Sequence, residues 1–386
     1  MPACRTPHRS PAPRRVVLAA VLCVLAGCSS DPEPAATGTP APPASTSGTP
    51  SAPASPSPAT TAPSPGIRVG EDRQPTGEPV TLALAGDVHF EGSVRSRLLA
   101  DPDTALDPVA RLLRRADLAM VNLETAVTER GTPEPKQYVF RAPSTAWRAL
   151  QAGGVDVVTL ANNHGLDYGQ VGLQDTLAGA RRADMPLVGA GTDAAQAYAP
   201  WRTTVKGQRL AFFGATQVLD SFAVDRWVAG PDSPGLASAK REDVLLDAVR
   251  SARADSDTVV VMLHWGVENQ SCPQSPARDL ARRLVAAGAD VVVGSHAHVL
   301  QGSGYLDGAY VHYGLGNFLF YASGGGPNTR SGVLTLTLRG RAVTGSRWDP
   351  ASLSGGQTTP LTGSAARQAA AAQSALRSCT GLSARP

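Results

Sequence analysis

Val291-Val292-Val293-Gly294-Ser295-His296-Ala297-His298 is the stretch on which the reading of this chain turns. Three β-branched apolar residues in a row have the character of a strand buried on both faces, as in parallel sheets covered by helices. Gly294 would let the chain turn sharply and bring its backbone close to a neighbour. Two imidazoles separated by one residue can then serve adjacent metal ions. A His-x-His pair is also at home as satisfied loop histidines, so its meaning depends on the rest of the chain.

Working outward, short apolar runs alternate with helical patterns from residue 80 onward. Strands are predicted at residues 80–85, 118–122, 155–160, 210–214 and 258–263, besides 291–293. Helices are predicted at 107–116, a capped 144–152, 170–183, 239–253 and 277–287. Asp307-Gly308 sits where a two-residue hairpin turn belongs within 304–313, and 333–338 alternates apolar residues with Thr as a closing strand would. This is an α/β domain built of βαβ units over residues 80–340, large enough for one substantial core. Residues 341–386 are expected to form an Ala/Ser-rich tail, with a surface helix at 365–376.

The first 28 residues carry an export signal. Arg14-Arg15 precede an apolar run at 16–26 that is too short to span a bilayer stably. Leu25-Ala26-Gly27-Cys28 resembles a bacterial lipobox, which implies a lipidated Cys28 holding the protein on the outer, extracytoplasmic face of the cell membrane. An ordinary secretory signal with an incidental cysteine is the alternative, and the paired arginines also hint at twin-arginine export. Residues 29–79 are almost wholly Pro, Ala, Ser, Thr and Gly, a composition that cannot bury enough surface to offset its ordering entropy. They are expected to be a disordered tether.

Without Arg5, Arg9, Arg14 and Arg15, the 35 basic residues become 31 against 32 acidic ones. A nearly neutral mature chain does not favour a nucleic-acid partner. Outside the cell, Cys272 and Cys379 could pair and tie the tail to the main domain, although two unrelated cysteines would have the same spacing.

The polar residues fall into a pattern on this map. Asp87 and His89 follow the first strand, Asn122 and Glu124 the second, and Asn162, Asn163 and His164 the third. His264 and the pair His296 and His298 follow two more. Of seven histidines, five lie at the carboxyl ends of predicted strands, where open α/β sheets bind ligands. Imidazole, carboxylate and amide donors outnumber the needs of one tetrahedral zinc, and no thiolate is among them. Two divalent ions, Mn, Fe or Zn, about 3.5–4 Å apart and sharing a carboxylate, fit the set better.

Gly86-Asp87-Val88-His89, Asn163-His164, His264 and Gly294-Ser295-His296-Ala297-His298 resemble the ordered blocks of the calcineurin-like metallophosphatases. More closely, Asn122-Leu123-Glu124, Ala161-Asn162-Asn163-His164, His264-Trp265-Gly266 and Gly316-Asn317-Phe318 resemble the bacterial poly-γ-glutamate capsule biosynthesis family, CapA, within that superfamily. The resemblance covers residues 80–338 and implies a metallophosphatase-like sandwich of two mixed β-sheets flanked by helices. It implies that Asp87, His89 and His298 hold one metal, that Asn163, His264 and His296 hold the other, and that Glu124 bridges them. The general superfamily pattern has a Gly-Asp pair where this chain has Asn122-Leu123-Glu124. A longer carboxylate there can still bridge, with altered metal spacing.

By the same resemblance His164 contacts the substrate or protonates a leaving oxygen. Asp167 either orients the His164 ring or caps the helix starting near Gly169. Arg141 and Asn317 are candidates for binding an anionic substrate, with Arg141 equally open to being a surface charge. Glu268 could support the metals or face solvent. Trp265, Phe318 and Phe320 are expected to pack in the core or rim.

Two functions follow. One is a metal-dependent hydrolase or transferase acting on a phosphate ester or an envelope-polymer bond. The other is a non-catalytic polymer-handling component working with membrane synthase or export partners.

Overall fold

The computed structural model describes residues 73–321 and 325–386. The expected export signal with Cys28, and nearly all of the expected 29–79 tether, lie outside the described residues. Along the chain run strands β1 (Val80–Val88), β2 (Leu118–Leu123), β3 (Val157–Thr159), β4 (Leu187–Val188), β5 (Trp201–Val205), β6 (Gln208–Thr216) and β7 (Thr258–His264). They are followed by β8 (Val291–Ser295), β9 (Ser303–Leu306), β10 (Ala309–His312), β11 (Asn317–Leu319), β12 (Arg330–Arg339), β13 (Ala342–Ser354) and β14 (Gln357–Pro360). The main helices are α1 (Ser93–Ala100), α2 (Thr145–Ala152), α3 (Gly169–Arg182), α4 (Glu242–Arg253), α5 (Ser275–Ala287) and α6 (Gly363–Ala375).

The strands form two mixed sheets. One has the order β14-β13-β12-β1-β2-β3-β4, with β11 added in parallel beside the end of β1. The other has the order β9-β10-β8-β7-β6-β5. In the first, β1 to β4 run parallel and β12 to β14 pair antiparallel. In the second, β6, β7, β8 and β10 run parallel, and antiparallel hairpins close both edges.

Pleating explains the stacking, because alternate residues of a strand face opposite sides. Leu82, Leu84, Met120 and Val157 of the first sheet meet Phe212, Val260, Met262, Val291 and Val293 of the second in one buried cluster. Ala83, Ala85, Val121 and Val158 instead face Leu98, Leu150 and Leu173 on α1 to α3. Ala211, Phe213, Val261 and Val292 face Leu245, Val249, Leu280 and Leu284 on α4 and α5. The central strands are thus covered on both sides, which is why their apolar runs are unbroken. The expected sandwich of two mixed sheets flanked by helices is the observed one.

Several local expectations change. Gly294 is not the turn: it continues β8, and it must be glycine because a Cβ would lie 2.0 Å from the Tyr313 carbonyl oxygen and 2.1 Å from Trp265 Nε1. The reversal comes at the histidines themselves, His296 at φ 88° and His298 at φ 55°. The helix expected at 107–116 is a single turn, Ala110–Leu113, since little chain remains before β2 begins. The helix at 144–152 forms without a side-chain cap from Ser144. Asp307 and Gly308 both take positive φ, as the hairpin turn between β9 and β10 requires.

The boundary at residue 340 also moves. Residues 342–360 continue the first sheet as β13 and β14, β13 being buried toward its ends and partly exposed in its middle. Such a pattern lacks the long apolar run by which the central strands declare themselves. Helix α6 follows, anchored where Gln373 Nε2 donates to the Gln301 carbonyl at 2.8 Å. Cys272 and Cys379 are joined, with Cα atoms 5.7 Å apart across a sequence separation of 107. Among the described residues, no helix is long and apolar enough to cross a membrane.

Closing so long a loop removes much denatured-state entropy. Cys379→Ser is expected to destabilise the domain by about 2–4 kcal/mol and lower the melting temperature by roughly 5–10 °C. Thermal unfolding with and without reductant checks this: reductant should reproduce the shift in the native protein and leave the variant unchanged.

Candidate metal centre

The parallel pairing of β1 with β2 sets Asp87 beside Asn122, and that of β7 with β8 sets His264 beside Ser295. Glu124 follows directly, held where its N–H donates to the Val88 carbonyl at 2.8 Å. Gly86 permits the remaining approach, since a Cβ there would lie 1.8 Å from the Gly316 carbonyl oxygen. That contact draws β11 alongside and delivers Asn317. Ligand-type side chains from both sheets therefore meet at the carboxyl ends of their strands.

Asn122 is the hub. Its Nδ2 lies 2.8 Å from Asp87 Oδ1, 3.4 Å from Glu124 Oε2 and 3.2 Å from His264 Nδ1. Its Oδ1 accepts from Asn162 Nδ2 at 2.9 Å, and Asn162 Oδ1 accepts from the His164 N–H at 2.9 Å. His264 Nε2 is 2.7 Å from Asn163 Oδ1, and the His296 N–H donates to Asp87 Oδ2 at 3.2 Å. His298 Nδ1 lies 3.4 Å from Asp87 Oδ2 and 2.9 Å from Asn317 Oδ1.

The donors fall into two groups. Ligand atoms of Asp87, Glu124 and His264 lie within 4.8 Å of one another, as do those of Glu268, His296 and His298. Asp87 also lies 3.4 Å from His298 Nδ1, which joins the two groups, and Glu268 joins the His-x-His pair. His89 belongs to neither group. Its Nδ1 accepts from the Glu91 N–H at 2.9 Å, its Nε2 faces the Tyr321 N–H at 3.2 Å, and its ring is boxed by Phe140 and Phe320.

The donor chemistry fits divalent cations. Glu124 Oε1 is buried without a hydrogen-bond partner, 3.7 Å from His164 Nε2 and 3.8 Å from His298 Nε2. His296 Nδ1 is likewise buried and unpartnered. Such atoms are costly to leave unpaired, and nitrogen with carboxylate oxygen is the donor mix of transition-metal sites. Burial, and then the neighbouring Asp87, push the Glu124 carboxyl well above its ordinary range. Burial opposes charge on His298, but Glu124 and Asp87 outweigh it and hold that imidazole up at about 10. Burial pushes His296 down to about 3 and His264 well below its ordinary value. His296 and His298 also hold positive φ without being glycine, a conformation that costs roughly 1–3 kcal/mol each and collects at functional sites.

His164 sits at the edge of this cluster. Its Nδ1 is 2.6 Å from Asp167 Oδ2, whose other oxygen lies 2.9 Å from Lys136 Nζ. Asp167 Oδ2 also accepts from the Phe140 N–H at 2.6 Å, so the carboxylate is engaged with these groups and the helix α3 has no side-chain cap. Burial pushes the Asp167 carboxyl up to about 7, with Lys136 restraining the rise. Neither Lys136, which donates to the Asn163 carbonyl, nor Phe140, whose ring is stacked between His89 and His164, is marked in the sequence. Arg141 has its guanidinium over the Tyr168 ring at 4.7 Å. Trp265 and Phe318 are buried packing residues, as expected, and Phe320 packs against the His89 and His298 rings.

Residues 81–322 match the family described as bacterial capsule synthesis protein PGA_cap. The chain is 32% identical over 252 residues to "Capsule biosynthesis protein CapA" of Bacillus anthracis, covering 63% of this chain and 60% of that protein. It is 31% identical over 223 residues to "PGA biosynthesis protein CapA" of Bacillus subtilis (strain 168), covering 56% of this chain and 57% of that protein. A "Probable polyglutamine synthesis accessory protein" of Mycobacterium tuberculosis is 33% identical over 232 residues, covering 58% and 61%. The match thus spans about three fifths of each relative's length. Among solved structures, a phosphatase from Mycoplasma pneumoniae is similar at a TM-score of 0.46 and 12% identity, covering 71% of this chain and 94% of that one. That likeness is too loose to bear on activity.

The Lys136–Asp167 pair yields a test. Lys136→Met leaves a buried carboxylate without its cation and should cost about 3–5 kcal/mol, whereas Lys136→Met with Asp167→Asn should recover most of the loss. Asp167 is raised in the fold to about 7, so the stability carried by its protonated form is full below its ordinary 3.8 and is lost as pH rises from there to about 7, and removing Lys136, which restrains the rise, extends that loss to higher pH. Chemical denaturation should accordingly show a larger Lys136→Met loss at pH 8 than at pH 5.

Proposed function

Since the chain belongs to the bacterial capsule synthesis protein family PGA_cap, we propose that it is a metal-dependent hydrolase or transferase acting on an envelope polymer or a phosphate ester outside the cytoplasmic membrane. Cys28 would carry the lipid that anchors it there. Membrane synthase or export components would be its partners. The observation that carries the reading is the unpartnered Glu124 Oε1, with Asp87 and His264 grouped about Glu124 and His298 Nε2 3.8 Å away.

Two divalent ions, Mn, Fe or Zn, held by Asp87, Glu124, Asn163, His264, His296 and His298, would supply Lewis acidity and an activated water. The protein's own part is orientation. Asn122 ties Asp87 and Glu124 together through one amide. Asp167, paired with Lys136, keeps His164 turned so that Nε2 points toward Glu124. From there His164 can pass a proton to a leaving oxygen, with Phe140 stacked on its ring to hold the plane. Asn317, 2.9 Å from His298 Nδ1, supports that imidazole. Arg141 is left for the carboxylate or phosphate of a bound polymer.

Purified protein loaded with Mn, Zn or Fe should hold close to two ions per chain and cleave one of three probes: a phosphomonoester, a phosphodiester or a γ-glutamyl polymer. His298→Ala should lower turnover roughly 100-fold or more and reduce bound metal. Metal retained without turnover would favour the polymer-handling role. A folded protein that takes up no metal would overturn the reading.

A further inference from the structure

The family match ends at residue 322, and the chain runs on through β13, β14 and α6 to Cys379. Helix α6 adds little to the core, since Gln373 is its one buried residue. A helix docked for hydrophobic gain would bury an apolar stripe instead. What α6 and the turn after it contribute is a pair of attachments, and both lead to the metal centre.

One attachment runs through Gln301. Gln373 Nε2 donates to the Gln301 carbonyl at 2.8 Å, and Gln301 Nε2 donates to the Gln270 carbonyl at 2.7 Å. Both glutamines are buried. Gln301 lies three residues after His298, so its side chain joins the turn carrying His296 and His298 to the loop carrying Glu268. The other attachment is the disulfide, which fixes Cys272, four residues after Glu268, to Cys379 just beyond α6. Between the two, the Asn269 N–H donates at 2.8 Å to the carbonyl of Ala297, the residue that separates the histidines.

Such bracing matters because packing does not hold Glu268. Its side chain is exposed, and the loop that carries it bends through positive φ at Gly266 and Asn269, 89° and 61°. The position of the carboxylate is therefore set by the loop backbone. Ligand atoms of Glu268, His296 and His298 nonetheless lie within 4.8 Å of one another. A loop displacement of about 1 Å is enough to spoil ligand geometry of this kind. Asp87, Glu124 and His264 sit at the ends of sheet strands and do not depend on that loop.

We propose that the C-terminal segment is a positioning element of the metal centre, given the two-metal reading on which this rests. Cys379, through the disulfide, and Gln373, through Gln301, hold the Glu268 loop against the turn of His296 and His298. They thereby set how tightly Glu268 and the two histidines retain their ion.

Calorimetric titration of the full chain, stripped of metal, with Mn tests this. The native chain should take two ions. In Cys379→Ser one ion should bind as in the native chain and the other about tenfold more weakly. Glu268→Gln should weaken the same ion by about tenfold, and adding Cys379→Ser to it should cost no further affinity, because the disulfide acts through Glu268. Should Cys379→Ser misfold by circular dichroism, Gln373→Leu, which cuts the other attachment, decides in its place with the same pattern expected. A purely structural tail would lower the melting temperature of the folded variant and leave both affinities at their native values. That result, or losses that add in the double variant, would overturn the positioning role while the two-metal reading stands. A native chain that takes up no ion would overturn both.

Discussion

Two carboxylates, Asp87 and Glu124, are fully buried side by side and share a single amide, that of Asn122. Like charges so placed cannot both ionise without a cation between or beside them. The fold creates this situation deliberately: parallel strands β1 and β2 end in register, and the opposing sheet brings His264, His296 and His298 to the same edge. Without metal, the balance falls to protons, with Glu124 raised and His298 held charged. The unusual backbone at His296 and His298 is a further cost that packing alone does not explain.

Much of this was legible in the sequence. The triple-valine run of β8 and the apolar runs of β1 and β7 announce strands buried on both faces, and the polar residues that follow them identify the ligand edge. The disulfide partners were visible as the two cysteines lying beyond the expected export signal, though only geometry joins them. Other features have no local signature. Lys136 lies in a Pro-rich loop, and its role depends on Asp167 and Asn163 arriving from another segment. Phe140 stacks on two histidines that are 51 and 24 residues away in sequence only because a short parallel ribbon, Ala126–Val127 with Arg141–Ala142, places it there. β13 and β14 are half-exposed strands whose alternation is too weak to separate from a tail.

The grouping of the ligands was the subtlest point. The resemblance implies one division of the ligands between two ions, and in the structure His298 lies within reach of both Asp87 and Glu124. His296 and His298 lie close to Glu268, while Asn122 holds Asp87 with Glu124 and His264. His89, two residues beyond Asp87, packs between Phe140 and Phe320, and its Nδ1 lies 2.9 Å from the Glu91 backbone nitrogen.

Anomalous diffraction from crystals soaked in manganese or zinc bears most directly on this account. It predicts peaks within bonding distance of Glu124, one beside Asp87 and His264 and one beside His296 and His298. Well-ordered crystals with Glu124 free of any peak, and its carboxyl instead bonded to His298 alone, would contradict the claim that these buried carboxylates exist to hold cations.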